Sequence, residues 1–255
     1  MHSWILCARF VRTGNCRNTR SCGFAERTES THKPIPDLLD IENILYEDFR
    51  RCGAQLCNTE PDDWDWYFLM QHHGVPSRIL DWSDGSLIGL HFAIHDAPIE
   101  PKKNAVVFVL QPYWLVEQLK SMPDTAAAKE SWKVFCKENP SEDFSDDEWD
   151  CLYLPDDEDW RSKAPLPRVP LLWDTAQITR RFGAQRSRFM MFGTDPRWMQ
   201  DIAERSDSVK VLTIEAASIP AIKHELRDAG ITESVIFPDL DGLGRELMQT
   251  WEERR

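Results

Sequence analysis

Apolar residues recur at helical spacing early in the chain. Between residues 38 and 51, large apolar side chains follow one another at steps of three and four, so they share one face of a helix. These residues are Leu38, Ile41, Leu45 and Phe49. The spacing predicts a helix over 38–51 that packs one face against a core.

Three more elements are predicted before the middle of the chain. Pro61 is a favourable first helical residue and Gly74 a favourable residue after a helix end, so we expect a helix over 61–73. The apolar stretch 87–97 predicts a buried helix, and the uninterrupted apolar run 105–110 predicts a buried strand.

The rest of the chain continues with alternating elements. A helix is expected over 125–137, and the final third alternates between strand and helix patterns. The strands are predicted at 188–192, 209–214 and 234–237, and the helices from 196, over 219–229 and from 240. This pattern predicts a single α+β domain with a mixed β-sheet flanked by helices.

Two stretches depart from the pattern. Residues 1–36 show neither helical nor strand periodicity, so we expect a poorly ordered N-terminal extension before a domain over 37–252. Residues 138–160 carry eleven acidic side chains and no basic one. Of the formal charge of −13, this acidic insertion contributes −11, which leaves −2 elsewhere. We predict an acidic linker or lid over 138–168.

Cysteine usage and motif content exclude several classes of protein. The seven cysteines form no Cys-x-x-Cys pair, which argues against a disulfide framework or zinc ribbon and favours a reducing, cytoplasmic setting. No apolar run approaches the roughly 18 residues of a membrane span, so no membrane association is expected. Neither a Gly-x-Ser-x-Gly elbow nor a phosphate-binding P-loop is present, which disfavours serine hydrolases and nucleoside triphosphatases.

The densest polar cluster spans residues 71–83. Its sequence is Gln71-His72-His73-Gly74-Val75-Pro76-Ser77-Arg78-Ile79-Leu80-Asp81-Trp82-Ser83. In an extended segment Arg78 and Asp81 point to opposite faces and do not pair. Two interpretations stay open. Either Arg78 and Asp81 satisfy local groups while Trp82 fills the core, or Arg78 binds an anionic ligand and Trp82 or a histidine stacks on a ring.

Two other polar groups are candidates for ligand binding. His91 and His95 lie four residues apart on a predicted helix, a spacing that suits metal ligands, but the helix is apolar and the glutamate of His-Glu-x-x-His is absent. We therefore expect no metal.

A second cluster favours either phosphate contacts or a solvated strand entry. It contains Arg180, Arg181, Arg186 and Arg188.

The segment 71–83, followed by Leu87-Ile88-Gly89-Leu90-His91-Phe92-Ala93, resembles the signature of the FRG domain family. Ala184-Gln185 leading into Phe189, and the segment 236–243, resemble the family too, so the similarity spans roughly 38–251. Two features depart from it. Phe10-Val11-Arg12-Thr13-Gly14 is the nearest match to the Phe-Arg-Gly triplet, and Gln185-Arg186-Ser187 stands where Gln-x-Gly is usual.

The resemblance implies a distant similarity to ADP-ribosyltransferase-like folds, which hold NAD. On this analogy Arg78 binds an anion, His73 or Trp82 stacks on a ring, and Gln185 orients a ribose. Gln185 and Arg78 are then the catalytic candidates. The ligand-binding candidates are Gln71, His72, His73, Arg78, Asp81 and Trp82, and the supporting residues are Gly74, Pro76, Asp239 and Asp241.

Three functions follow as hypotheses. The leading one is a pocket for NAD or a related nucleotide, with transfer of ADP-ribose. The second is a noncatalytic ligand-sensing or protein-interaction module that keeps the fold. The third is a nucleic-acid-binding module that uses the arginines of 180–188, with binding that falls steeply as salt rises.

Overall fold

The structure is a computed structural model, and it describes most of the chain. The described residues are 5–9, 35–57, 60–98, 100–140, 145, 147–155, 166–173, 179–195, 198 and 207–253, with 5–9 and 35–38 described by their backbone. No helix among these residues is both long enough and apolar enough to cross a membrane.

The described strands form one six-stranded sheet in the order β4-β5-β2-β1-β3-β6. They are β1 Ile5–Arg9, β2 Ile79–Ser83, β3 Ala105–Leu110, β4 Leu171–Trp173, β5 Ser187–Met191 and β6 Val209–Ile214. Each neighbouring pair is antiparallel.

Helices account for most of the remaining described structure. They are α1 Ile35–Gly53, α2 Asp63–His72, α3 Ser86–Ile94, α4 Pro112–Ser121, α5 Pro123–Glu138, α6 Arg180–Gln185, α7 Ile219–Asp228, α8 Glu233–Ile236 and α9 Leu240–Glu253. Short 3-10 turns cover Ala54–Leu56, Trp149–Tyr153 and Ala216–Ser218.

The α+β class is confirmed, but the sheet is antiparallel in its described strands rather than mixed. Strands β2 and β3 are joined by α3 and run in the same direction, as a helical crossover predicts. They are not neighbours, because β1 lies between them and pairs antiparallel with both. The insertion of an N-terminal strand therefore converts a parallel arrangement into an antiparallel one.

This central strand corrects the predicted N-terminal extension. Residues 5–9 pair with β2 and β3, so the sheet begins well before residue 37. A segment of five residues carries too little periodicity to be predicted as a strand from its own sequence. The rest of the predicted extension, residues 1–4 and 10–34, lies outside the described residues.

The core lies on both faces of the sheet. Phe189, Met190 and Met191 of β5 are all fully buried although successive side chains of a strand point to opposite faces. On one face, α2 stacks Phe68 on Phe189 with ring centroids 4.6 Å apart. Helix α3 packs Ala93 and Ile94 against β3 in a smaller cluster of buried residues.

Most of the predicted helices and strands are confirmed. Gly74 and Gly230 follow α2 and α7 with φ of 80° and 81°, the left-handed conformation expected of residues that end helices. The predicted strand 234–237 is wrong, because residues 233–236 form α8. A four-residue apolar segment carries too little periodicity to separate the two structures. The helix predicted from 196 falls largely outside the described residues.

The acidic insertion is described in part. Residues 149–153 form a 3-10 turn whose Leu152 and Tyr153 are buried. Leu152 packs with Trp132 and Phe135 of α5. This part of the insertion is therefore packed into the domain, while 141–144, 146 and 156–165 lie outside the described residues. A linker or lid over 138–168 remains a prediction.

Candidate functional site

The signature segment 71–83 runs from the end of α2 into β2. Asp62 caps the start of helix α2, and its Oδ1 accepts a hydrogen bond from the backbone N–H of Asp65 at 2.7 Å. It ends where Gly74 takes its left-handed conformation and the N–H of Val75 donates to the carbonyl of Met70 at 3.1 Å. The chain then reverses into β2, so residues 77–83 enter the sheet.

Arg78 lies inside the core, 3% exposed, against the fully buried Glu42 of α1. Its Nε donates to Glu42 Oε2 at 2.6 Å, and its Nη1 and Nη2 donate to the carbonyls of Phe192 at 3.3 Å and Tyr153 at 2.6 Å. Glu42 Oε1 accepts from the Arg78 backbone N–H and from the Tyr67 hydroxyl, both at 2.6 Å. We call this set the Arg78–Glu42 network.

The Arg78–Glu42 network corrects the expectation that Arg78 binds an anionic ligand. Burial acts to lower the pKa of Arg78, and the adjacent Glu42 carboxylate more than offsets it, so the pKa is raised above its ordinary value. The guanidinium stays charged and its donors are used within the protein. The structural interpretation of Arg78 is therefore favoured.

Trp82 and Asp81 occupy opposite sides of β2. Trp82 is 2% exposed and fills the core, which argues against stacking on a ligand. Its Nε1 has no hydrogen-bond partner among the described residues. Asp81 is exposed and accepts from Gln71 Nε2 at 3.0 Å, while Gln71 Oε1 accepts from the Ser77 hydroxyl at 2.7 Å. Gln71 thus connects α2 to the start of β2.

The two signature histidines have different environments. His72 packs edge-on against Phe182 with ring centroids 4.7 Å apart. Burial, and then the charge of Arg181, lower the pKa of His72 to about 4, so its imidazole is neutral at neutral pH. His73 is exposed, with its ring 6.3 Å from that of Phe49. Of the two, His73 is the one accessible to a ligand.

Gln185 is buried and holds two helices together. Its Nε2 donates to the carbonyl of Ile236 in α8 at 3.2 Å, and its backbone carbonyl accepts from the Ser83 hydroxyl at 2.7 Å. This position corrects the expectation of a catalytic glutamine, because its amide is occupied within the fold. Asp239 accepts from the N–H of Gly242 at 2.7 Å near the start of α9, and Asp241 is exposed in the first turn of that helix.

The four arginines of 180–188 lie in different environments. Arg180 and Arg186 are exposed. Arg181 is half-buried, with its guanidinium 4.7 Å from the ring centroid of Phe237, and no described residue accepts a hydrogen bond from its Nε. Nη2 of Arg188 lies 2.7 Å from the carboxylate of Asp84, the residue that follows β2. Nucleic-acid binding through these residues stays a prediction.

A cavity of about 440 Å³ lies elsewhere, between α3 and α7, and α8 and α9 complete its walls. We call it the α3–α7 cavity. His91, His95, Glu233 and Lys223 are among its polar residues. Its apolar residues are Ile94, Ala97, Pro98, Pro220, Leu226 and Ile231. None of the candidates expected from the signature segment lines this cavity.

Three of the cavity's polar side chains converge. Glu233 Oε1 lies 3.5 Å from Nε2 of His91 and 3.5 Å from Nε2 of His95. The other oxygen of Glu233 accepts from Arg245 Nε at 3.1 Å, and His95 Nδ1 lies 2.8 Å from the carboxylate of Asp96. Nε2 of His91 is buried, and it has no hydrogen-bond partner in the part of the chain that the structure describes. We call His91, His95 and Glu233 the His-His-Glu cluster.

Burial governs the charges around this cavity. Burial, and then the neighbouring His95, lower the pKa of His91 to about 4, so this imidazole is neutral at neutral pH. Burial also lowers the pKa of Lys223, whose Nζ donates to the carbonyls of His95 at 3.0 Å and Ala97 at 2.7 Å. Lys223 therefore caps the carboxyl end of α3.

A scan against protein families matches the FRG domain to residues 2–102. The chain carries an FRG domain. The same comparisons found no curated protein and no solved structure that matches the chain. The FRG match begins just before β1 and ends just before β3, so it contains the Arg78–Glu42 network's two charged residues and both histidines of the cavity. Glu233 lies beyond it.

Two acidic residues central to this FRG-domain protein were missed from sequence. Glu42 lies on the apolar face of α1, next to Ile41 and three residues before Leu45, so an acidic residue at a core position was the available signal. No comparable sequence signal marks Glu233, because it lies far along the chain from His91 and His95. Only the folded chain brings these three side chains together.

Proposed function

We propose that this FRG-domain protein is a noncatalytic module that binds a nucleotide such as NAD or ADP-ribose in the α3–α7 cavity. One observation carries the proposal. The polar residues expected to perform chemistry, Arg78 and Gln185, are used inside the domain, whereas the α3–α7 cavity presents polar groups to an open space. The signature then supports the fold, and the ligand binds elsewhere.

The character of the α3–α7 cavity supports a small-molecule ligand. Its volume of about 440 Å³ lies within the range usual for such sites, and its walls are mainly apolar with a few convergent polar groups. Lys223 and Arg227 place cationic side chains in the wall, which favours a ligand that carries phosphates. The apolar residues offer contacts to a ring.

Thermal unfolding with NAD and with ADP-ribose tests the proposal. At a hundredfold excess over Kd a ligand adds about 2.7 kcal/mol, or roughly 5–10 °C for a protein of this size. Gln249→Trp places a bulky side chain at the cavity wall, and Gln118→Trp makes the same change on α4 as a matched control. We expect wild type and control to be stabilised, and Gln249→Trp to respond weakly.

Product analysis separates binding from catalysis. A noncatalytic module leaves NAD intact over hours at high protein concentration, measured as the amount of free nicotinamide. Absence of stabilisation by both nucleotides contradicts the proposed ligand. Stabilisation together with steady release of nicotinamide contradicts the noncatalytic part alone.

ADP-ribosyl transfer is a second candidate, and Arg181 is the observation that favours it. Its Nε has no hydrogen-bond partner among the described residues. Burial lowers the pKa of Arg181, and the carboxylates of Asp81 and Asp239 act against that shift, so the guanidinium lies near Asp81 of the signature. It offers the anion-binding group that Arg78 does not. Arg181→Gln should abolish any nicotinamide release, and Arg180→Gln, an exposed neighbour, should leave it unchanged.

A further inference from the structure

We propose that His91, His95 and Glu233 form a Zn²⁺ site in the wall of the α3–α7 cavity. The inference goes beyond nucleotide binding and does not depend on it, because it concerns the metal alone. It also departs from the sequence-based expectation of no metal, which considered His91 and His95 without Glu233.

The spacing of the His-His-Glu cluster suits a tetrahedral ion. Ligand atoms at 2.0–2.2 Å from zinc lie about 3.3–3.6 Å from one another in a tetrahedron. Glu233 Oε1 is 3.5 Å from each histidine Nε2, and all three ligand atoms lie within 4.8 Å of one another. A small movement of the two imidazoles, whose ring centroids are 5.4 Å apart, completes the geometry.

Secondary structure holds the two histidines in place. They are one helical turn apart at the end of α3, and the N–H of His95 donates to the carbonyl of His91 at 2.8 Å, so the helical turn continues through both. Their side chains therefore lie on one face of the helix. Glu233 begins α8, which faces them.

Neighbouring groups orient two of the three ligands. Asp96 lies 2.8 Å from Nδ1 of His95, and a carboxylate in this position keeps the proton on Nδ1 and leaves the lone pair of Nε2 for a metal. Arg245 holds the outer oxygen of Glu233 at 3.1 Å, which leaves Oε1 directed at the imidazoles. This arrangement is common around protein-bound zinc.

The protein alone leaves this cluster incompletely satisfied. His91 is 9% exposed, and no described residue forms a hydrogen bond with its Nε2. Buried polar atoms are nearly always paired, so an unpaired one indicates a missing partner. Zinc at the centre of the cluster supplies that partner and neutralises the buried Glu233 carboxylate.

Three protein ligands leave one position of the zinc open toward the α3–α7 cavity. Two histidines and a glutamate with an open fourth position are typical of zinc sites that bind an exchangeable ligand, whereas structural sites use four protein ligands. Phe92 occupies the position of the general-base glutamate of His-Glu-x-x-His, so peptidase chemistry is not part of the proposal.

Isothermal titration of metal-depleted protein with Zn²⁺, under reducing conditions and without nucleotide, tests the site. His95→Asn and Glu233→Gln each remove a ligand while keeping polarity and approximate size. His224→Asn is the matched control, because His224 is an exposed histidine of α7 that pairs with Asp228 at 3.0 Å outside the cluster. Circular dichroism verifies that each variant is folded, and Asp96→Asn probes the positioning of His95.

We expect one zinc per chain in wild type and in His224→Asn. Removal of a ligand should weaken binding by at least about 100-fold, and Asp96→Asn should weaken it by about 10–100-fold. Absence of micromolar or tighter binding in wild type overturns the site. Unchanged affinity in folded His95→Asn and Glu233→Gln proteins also overturns it, since the zinc then binds elsewhere. Nucleotide stabilisation measured with a chelator present is read separately, so either proposal can fail alone.

Discussion

Replacing Arg78 with methionine leaves the Glu42 carboxylate buried without its cationic partner. In the native protein Glu42 is fully buried and Arg78 is 3% exposed, with 2.6 Å between Nε and Oε2. Methionine fills much of the same volume but carries no donor. The Tyr67 hydroxyl and the backbone N–H of residue 78 still donate to Glu42, so the loss concerns the charge pair.

The expected cost is large because both partners are desolvated. Breaking a buried pair by removing one partner costs about 3–5 kcal/mol, which lowers the Tm by roughly 6–20 °C in a protein of this size. The exposed pair Arg51–Asp48, at 2.7 Å, provides the matched control. Arg51→Met should leave the free energy of unfolding close to that of wild type, because solvent screens exposed charges.

A double-mutant cycle with Glu42→Gln isolates the charge interaction. Glutamine keeps an oxygen for Tyr67 and removes the negative charge, so the double variant has no unpaired buried charge. Urea unfolding followed by circular dichroism should show that the double variant loses about 1–3 kcal/mol less than the sum of the single variants. Additive losses within about 0.5 kcal/mol would refute the reasoning, and so would an Arg78→Met protein as stable as wild type.

Three further predictions concern single residues. Gly74→Ala should cost about 1–2 kcal/mol in urea unfolding, because alanine is strained at the φ of 80° that this residue adopts. A Cβ at Gly74 meets no atom within 4 Å, so no steric clash adds to this cost. Gly244 in α9 is equally open, and Gly244→Ala should be neutral or stabilising. The unfolded state protonates His72 near pH 6.5 and the folded state near pH 4, so stability falls as the pH drops through this interval, and His72→Gln should have a shallower slope. Burial, and then Asp150, raise the pKa of the Cys151 thiol to about 12, so iodoacetamide at neutral pH should label exposed Cys52 far faster, as peptide mass spectrometry will show. Equal labelling of both thiols, or equal pH slopes, would contradict these expectations.

The elements that sequence predicts well are those set by local periodicity. Strands β3 and β6 match their predicted bounds, and α1, α2 and α7 differ by a few residues at their ends. The failures depend on distant partners. Strand β1 is recognisable through its pairing with β2 and β3. The four residues of α8 form a helix between α7 and α9 along the chain. A short segment takes the structure that its neighbours impose.

The candidate site follows the same division. The sequence identified the signature as a dense polar segment and left its structural and functional interpretations open. The pairing of Arg78 with Glu42 favours the structural interpretation of Arg78, and the two residues are 36 positions apart in the chain. The spacing of His91 and His95 was visible, but the third ligand, Glu233, enters through tertiary packing. Local spacing can propose two ligands on one helix, whereas a complete site requires the fold.

The signature and the α3–α7 cavity are connected through three hydrogen bonds. The Ser83 hydroxyl at the end of β2 donates to the carbonyl of Gln185 at 2.7 Å and accepts from the N–H of Gly85, just before α3, at 3.1 Å. Gln185 Nε2 then donates to Ile236 in α8 at 3.2 Å. This path runs from the start of α3 to α8, the two helices whose side chains converge in the cavity. Gln185 therefore links the end of β2 to α8, so segment 71–83 is connected to the cavity although none of its own side chains lines it.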